Sequence, residues 1–231
     1  MGCITKVLSD IAKFLFRNNN ATALAYWQKR AKHGGFWAAL NSGYSLQDFA
    51  VITQTQKDIL FPFLKQHLRG SEKLVLDFGC GPGRFSADLA RLTMAKVVAV
   101  DPVKHFLRIA PKDKHVVYKC MQAGHIPLSG ACVDIVWVCL VLGGIMDEIV
   151  LHNTISEMHR ALKGGGLIFL VENTTEKQEC DHWKYRPVRV YQELFSFAQL
   201  RSVGEYNELG ERISIMVGRK TEDMRSENFK K

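Results

Sequence analysis

The chain has 231 residues, of which 47% are hydrophobic and 23% charged, and its formal net charge is +8. This length is enough to bury one sizeable core, so we expect one domain with an appendage. Residues 1–70 carry nine Lys or Arg against three Asp, a balance of +6, and residues 219–231 carry five basic against three acidic residues, a balance of +2. The segment between them is therefore neutral, which argues against a uniformly basic nucleic-acid-binding surface.

The six cysteines lack the C-x-x-C spacing of metal and redox sites, and three of them lie in or beside apolar runs. This usage is typical of a reducing compartment, so we expect a cytoplasmic protein. No apolar run approaches the roughly 20 residues that span a bilayer. We therefore expect neither a signal peptide nor a transmembrane helix.

The first 70 residues predict three helices, over residues 4–16, 21–32 and 46–68, from apolar residues that recur at three- and four-residue spacing. We interpret residues 1–70 as a helical cap in which Tyr26 and Trp27 contact an acceptor. Aromatic residues at helical spacing are also typical of a core, and that alternative stays open.

The first predicted helix carries basic side chains around its apolar stripe, at Lys6, Lys13 and Arg17. Such a helix either packs on the domain or makes a weak contact with an anionic membrane surface through residues 1–20. The pattern does not decide between packing and membrane contact.

From Lys73 onward, short β-branched runs alternate with helical patterns. Strands separated by helices predict parallel pairing, and continuous apolar runs predict burial on both faces of the sheet. Two extended segments joined by a turn follow, over residues 201–210 and 212–220. We predict an α/β fold with a doubly wound, mostly parallel sheet, a terminal antiparallel strand pair and an N-terminal helical cap. The expected strands are 74–78, 96–100, 116–120, 133–139 and 166–171, with helices in the gaps; the expected domain covers residues 71–220, and a polar tail covers 221–231.

A glycine-rich run follows the first predicted strand, with the sequence VLDFGCGPGRF at residues 75–85. Its glycines bring bare backbone to the carboxyl edge of the sheet, where doubly wound folds bind ligands. The dinucleotide pattern G-x-G-x-x-G fails because Arg84 or Ser86 occupies its last place, so a dehydrogenase is disfavoured. The second strand ends in Asp101, 24 residues beyond Asp77, where a carboxylate can accept both hydroxyls of a ribose.

Over residues 74–172 this arrangement resembles the class I methyltransferases that use S-adenosylmethionine, in particular those acting on small molecules. The resemblance implies that the glycine loop lies along the methionine part of the cofactor, that Asp101 holds the ribose, and that Arg84 clamps the carboxylate. No metal is expected. The cofactor contacts that it implies are Asp77, Gly79, Cys80, Gly81, Gly83, Arg84, Asp101, Pro102, Gln122, Ala123, Gly124 and Leu140. The alternatives are that Gln122 is an exposed turn residue, that Arg84 is a solvated residue at the start of a helix, and that Leu140 is a core residue.

Polar residues that follow the fifth predicted strand are candidates for catalysis. Glu172 is the first candidate base, although it can equally be a structural partner for backbone or Arg, and Asn173 would orient the acceptor. The loop CDHWKYR, residues 180–186, offers His182 as another base. The expected acceptor pocket comprises Gly143, Trp183, Tyr185 and Arg186, with Arg186 suited to an anionic acceptor. A surface loop pinned by buried aromatics is the alternative.

The resemblance predicts methyl transfer to an oxygen or nitrogen of a small biosynthetic metabolite, such as a sugar, a natural product or a lipid-linked intermediate. No N-P-P-[FY] tetrapeptide follows the fourth strand, so no stable nucleic-acid partner is expected. A protein or RNA methyltransferase remains an alternative because the basic ends can dock a polyanion. A non-catalytic scaffold that binds the cofactor is the alternative from another class.

Overall fold

A computed structural model describes residues 23–40, 43–45 and 48–221 of the chain. The helix predicted over residues 4–16, the membrane contact of residues 1–20 and all but the first residue of the polar tail lie outside these residues. Within the described ranges, no helix combines the length and the apolar character needed to cross a bilayer.

The cap contributes helix α1 over residues 23–34, a 3-10 turn over Gly35–Ala39 and helix α2 over Phe49–Gln66. The domain that follows alternates strands and helices, as the hydrophobic pattern predicts. Its elements are β1 (Leu74–Phe78), α3 (Ser86–Thr93), β2 (Lys96–Asp101), α4 (Lys104–Ile109), β3 (Val116–Cys120), β4 (Val133–Cys139), α5 (Glu148–Ala161), β5 (Leu162–Asn173), α6 (Val188–Leu194), β6 (Arg201–Glu208) and β7 (Glu211–Arg219).

The seven strands form one sheet in the order β3-β2-β1-β4-β5-β7-β6. The first five strands are parallel, and β7 pairs antiparallel with both β5 and β6. The predicted fold class is therefore confirmed, including the terminal antiparallel pair. The strand order reverses between β1 and β4, and ligands of doubly wound sheets bind at the carboxyl ends of strands beside such a reversal.

Two details differ from the predicted elements. The segment between β3 and β4, residues 121–132, consists of turns and a single bridge pair, so the helix expected in this gap is wrong. Strand β5 begins at Leu162 instead of residue 166. Its glycine run gives no strand signal, but Leu162 pairs with Val133 of β4, and an irregularity in register separates this pair from the pairing that begins at Leu167.

Both faces of the sheet are buried, as continuous apolar strands predict. On one face Val75, Trp137 and Phe169 pack with α2 and α3, and on the other Leu76 and Val138 pack with α5 and α6. The cap contacts the domain beyond β2, where α1 packs on Val103 and Phe106. The cap therefore lies beside the carboxyl edge of the sheet, at the end where β1 and β2 finish.

Candidate cofactor and acceptor site

The glycine loop turns sharply at the carboxyl end of β1. Gly79 and Gly83 have φ values of 69° and 78°, in the left-handed region that favours glycine. A Cβ atom at Gly79 would occupy the space of the Val141 side chain, and one at Gly83 would meet the ring of Tyr118. Glycine is thus needed at both positions for the backbone conformation and for the close approach of neighbouring side chains.

Two buried carboxylates flank this loop. Asp101 is 6% exposed; its Oδ2 accepts a hydrogen bond from the amide of Gly81 at 2.9 Å, and its Oδ1 accepts one from Val103 at 2.7 Å. Burial raises the pKa of Asp101 to about 6. Asp77 accepts a 2.6 Å bond from the Ser86 hydroxyl, and burial raises its pKa to about 7. Each oxygen of Asp101 keeps a second lone pair for a ligand.

A cleft of about 1130 Å³, part of it open to solvent, runs along this edge. Most of the predicted cofactor residues line it: Asp77, Gly79, Cys80, Gly81, Arg84, Asp101, Pro102, Ala123, Gly124 and Leu140. Gly83 and Gln122 are not among the lining residues. Gln122 is exposed, and its carbonyl accepts a bond from the amide of His125 at 3.0 Å. This geometry agrees with the alternative that Gln122 is an exposed turn residue.

Several lining residues carry no motif in the sequence. Val103 and Phe106 follow Asp101 so closely that their position could have been inferred from it, whereas Val150 and Thr154 reach the cleft from α5. Trp137 also lines the cleft, and its buried indole Nε1 has no hydrogen-bond partner in the part of the chain that is described. The position of Val150, Thr154 and Trp137 at the cleft follows only from tertiary packing.

Arg84 has an incompletely satisfied guanidinium group at this cleft. Its Nη2 donates to Gln56 at 2.7 Å, and the amide of Gln56 donates in turn to Glu208 at 2.8 Å. Its Nη1 is buried and has no partner among the described residues. Burial lowers the pKa of Arg84, since the charged form is desolvated. A buried cation that has one nitrogen without a partner, beside a cleft, suits an anionic ligand group such as a carboxylate.

The two candidates at the end of β5 do not line the cleft. Glu172 is 0% exposed and accepts bonds from the amides of Val141, Leu142 and Gly143, at 2.9, 2.6 and 3.4 Å. Burial raises its pKa to about 7. Asn173 donates to Glu211 at 2.6 Å and accepts from the amide of Thr175 at 3.1 Å. The polar atoms of both side chains are therefore engaged within the fold.

The 180–186 loop meets the cap through aromatic rings. Tyr26 stacks on His182 with ring centroids 3.8 Å apart, and Trp27 lies edge-on to Trp183 at 6.5 Å. Trp27 and Trp183 line the cleft, whereas Tyr26 and His182 do not. Burial is the main cause that lowers the pKa of His182. The two tryptophans thus form one wall of the cleft, which we call the tryptophan wall.

The other acceptor candidates point elsewhere. Arg186 is 3% exposed and donates to the carbonyls of Leu142 and Ile145, both at 3.0 Å, and to Glu148 at 3.1 Å. The Tyr185 hydroxyl is 3.5 Å from Glu211. Gly143 lies under the Trp183 ring, with no space for a side chain, and only its neighbour Gly144 lines the cleft. Neither Tyr185 nor Arg186 is among the lining residues.

Residues 76–170, which include the glycine loop and Asp101, match the family model of a methyltransferase domain. This central segment of the chain is thus similar to a methyltransferase domain. A protein of Geobacillus sp. (strain WCH70), whose name marks it as an inferred methyltransferase, is 30% identical over 123 residues, which are 50% of this chain and 49% of that protein. The chain thus spans about half the length of the curated relative it matches.

Solved structures agree with the fold of residues 71–220. The YcgJ protein of Bacillus subtilis is 15% identical, with a TM-score of 0.59 over 72% of this chain and 100% of its own. An S-adenosylmethionine-dependent methyltransferase of Methanosarcina mazei is 16% identical, with a TM-score of 0.58 over 70% of this chain and 98% of its own. At such identities the likeness shows the fold alone.

A methyltransferase domain implies S-adenosylmethionine as methyl donor. The cleft residues fit this molecule, because bare backbone, a carboxylate with free lone pairs and a buried guanidinium group with one unpartnered nitrogen line one cleft. The described residues include no group of three His, Cys, Asp or Glu that could hold a metal ion.

Proposed function

We propose that this protein transfers a methyl group from S-adenosylmethionine to an oxygen or nitrogen of a small biosynthetic metabolite with an uncharged, apolar body. One observation carries the proposal: the glycine loop, Asp101 and Arg84 line the same cleft as the tryptophan wall. Groups suited to the cofactor and an apolar surface suited to an acceptor therefore line the same cleft.

The cofactor roles follow from the donors and acceptors that the cleft residues offer. Asp101 would accept the two ribose hydroxyls with its remaining lone pairs. The free Nη1 of Arg84 would donate to the carboxylate of the methionine part. Val103, Phe106 and Met121 provide an apolar surface for the adenine.

Methyl transfer from a sulfonium is an in-line displacement, and S-adenosylmethionine supplies the methyl group and the leaving sulfur. The protein must align the acceptor atom with the methyl carbon and keep water out. The glycine loop and Asp101 would fix one reactant, and the tryptophan wall would cover the other. A hydroxyl or ammonium acceptor also loses a proton, and neither Glu172 nor His182 lines the cleft to receive it.

The acceptor end of the cleft is apolar and aromatic. Trp27, Trp183 and Ile145 line it, and Gly144 adds no side chain between them. Arg186 is the cation that the sequence suggests for an anionic acceptor, but it donates its hydrogen bonds to two carbonyl groups and to Glu148. An uncharged apolar acceptor therefore fits this end better than a phosphate or a carboxylate.

The test combines calorimetry with a turnover screen. Titration with S-adenosylhomocysteine should give heat, and turnover with aromatic or aliphatic hydroxyl compounds and aromatic amines should release S-adenosylhomocysteine faster than turnover with their phosphorylated or carboxylated counterparts. Total RNA and unfolded protein serve as comparison acceptors. Absence of heat would favour the scaffold, and release only with RNA or protein would favour a macromolecular acceptor.

A further inference from the structure

We infer that Glu172 is a positioning residue, which anchors the turn after β4 and through that turn the glycine loop, and that it is not the proton acceptor of the reaction. The inference rests on the proposed function, because it assigns a role within the same site. It separates two roles that the position of Glu172 at the end of β5 leaves equally open.

The turn after β4 needs partners for its backbone amides. Leu140 has a φ of 57°, which a residue with a side chain rarely adopts, and the 3-10 turn Leu142–Gly144 follows directly. Three consecutive amides, those of Val141, Leu142 and Gly143, point at the Glu172 carboxylate. Amides at the start of a helical turn have no partner within that turn, and leaving them buried and unpaired is costly.

Arg186 completes the anchorage from the carbonyl side of the same turn. Its Nη1 donates to the carbonyl of Leu142, and its Nη2 donates to that of Ile145. Glu148 accepts from the same guanidinium group at 3.1 Å and holds it in place. The turn is thus fixed through its amides by one side chain and through its carbonyls by another, which leaves it little freedom to shift.

The anchored turn is in direct contact with the cofactor region. The Val141 side chain fills the space beside Gly79 where a Cβ atom would otherwise lie. Leu140, Val141 and Gly144 line the cleft. A displacement of the turn would therefore move both a wall of the cleft and the glycine loop that rests against it.

The same contacts argue against proton transfer to Glu172. A general base must come within hydrogen-bond reach of the proton that it removes. Both oxygens of Glu172 face backbone amides, the side chain is 0% exposed, and the residue does not line the cleft. An acceptor bound in the cleft would meet the turn before it met this carboxylate.

Glutamine and alanine at position 172 distinguish the two roles. In Glu172→Gln the amide oxygen can keep both short bonds of Oε1, and only the 3.4 Å contact with Gly143 is lost. We expect turnover and the Kd for S-adenosylhomocysteine to stay within about threefold of wild type, with an unchanged pH profile. In Glu172→Ala all three amides lose their partner, so we expect the Kd to rise about tenfold or more and kcat/KM to fall.

Hydrogen exchange provides a readout that does not need activity. The amides of residues 141–143 should exchange slowly in wild type and Glu172→Gln and at least tenfold faster in Glu172→Ala. This holds even if no acceptor is found, so failure of the proposed function would not be confused with failure of this inference. Arg186→Met should weaken S-adenosylhomocysteine binding in the same direction without altering any carboxylate.

Glu72→Ala is the matched control. Glu72 is a buried carboxylate that accepts a backbone bond from Arg69 at 2.7 Å, and it precedes β1 at the end of the sheet opposite the cleft. Its removal should lower the melting temperature without changing the Kd for S-adenosylhomocysteine. The inference is overturned if Glu172→Gln loses turnover a hundredfold or more and its dependence on pH while binding S-adenosylhomocysteine normally, or if Glu172→Ala leaves both exchange and binding unchanged.

Discussion

The carboxylates at the carboxyl ends of β1, β2 and β5 are buried, and their partners suggest different roles. Buried carboxylates are tolerated when hydrogen bonds satisfy them. Glu172 receives three backbone amides and does not line the cleft. Asp77 receives a hydroxyl and Asp101 receives one amide at each oxygen, and both line the cleft. At the scale of single residues, Asp77 and Asp101 are therefore the carboxylates placed to meet a ligand, and Asp101, at the end of β2, is the one proposed for the ribose.

Replacing Asp101 with alanine should weaken cofactor binding severely. The change removes the acceptor for both ribose hydroxyls, and bonds to a charged group contribute about 1.5–3 kcal/mol each, so we expect the Kd for S-adenosylhomocysteine to rise at least about thirtyfold. Calorimetry measures the change. Glu193→Ala, an exposed carboxylate on α6, is the control. An increase below threefold in Asp101→Ala would contradict the assigned ribose contact.

Among the larger elements, the cap and the 180–186 loop determine how the cleft is covered. They belong to distant parts of the chain, yet Tyr26 stacks on His182 and Trp27 lies against Trp183. Aromatic pairs of this kind contribute about 0.5–1.5 kcal/mol beyond the area that they bury. The contact joins the two segments above the turn that Glu172 anchors, so the acceptor end of the cleft depends on all three.

Trp183→Ala should affect the acceptor more than the cofactor. Loss of the indole ring from above Gly143 and Gly144 opens the acceptor end, whereas the glycine loop and Asp101 are untouched. We expect the acceptor KM to rise about tenfold, with the Kd for S-adenosylhomocysteine within threefold of wild type. Trp37→Phe, in a cap residue that does not line the cleft, should change neither value. Equal increases in both would mean that Trp183 supports the whole cleft.

At the scale of the whole molecule, burial of the sheet edge couples stability to pH. Burial raises the pKa of Asp77 and Glu172 to about 7 and that of Asp101 to about 6. These groups have ordinary pKa values near 4 in the unfolded chain, so between pH 4 and 7 the folded state binds more protons than the unfolded state does. The protein is stabilised as these groups protonate and loses that stability as pH rises through 6 to 7.

The free energy of unfolding without cofactor should therefore increase as pH falls from 8 to 6. Each group contributes at most about 1.4 kcal/mol per pH unit within its window. Urea unfolding at pH 8, 7 and 6 measures the slope, and Asp77→Asn, which keeps a partner for Ser86 but cannot ionise, should flatten it. A stability that rises with pH in wild type, or a slope that Asp77→Asn leaves unchanged, would contradict the burial argument.

The fold was predictable from the chain alone because its signals are local. Apolar strand runs, helical spacing and the glycine loop each depend on neighbouring residues, and parallel pairing follows from their alternation. The proximity of the glycine loop and Asp101 could be predicted from the sequence, since β1 and β2 end at the same edge of the sheet. The prediction of a helix between β3 and β4 was wrong, because the spacing between two strands does not require a helix.

The partners of buried polar groups depended on the tertiary structure. That Glu172 faces three amides, that Arg186 holds two carbonyls and that Trp27 meets Trp183 are contacts between distant segments, which depend on how the turn, the loop and the cap pack. In the sequence, a carboxylate that binds backbone amides and one that binds a substrate are the same residue type at the same position relative to a strand. Only the neighbours that folding supplies distinguish them, because burial and hydrogen bonding together determine what a polar group can do.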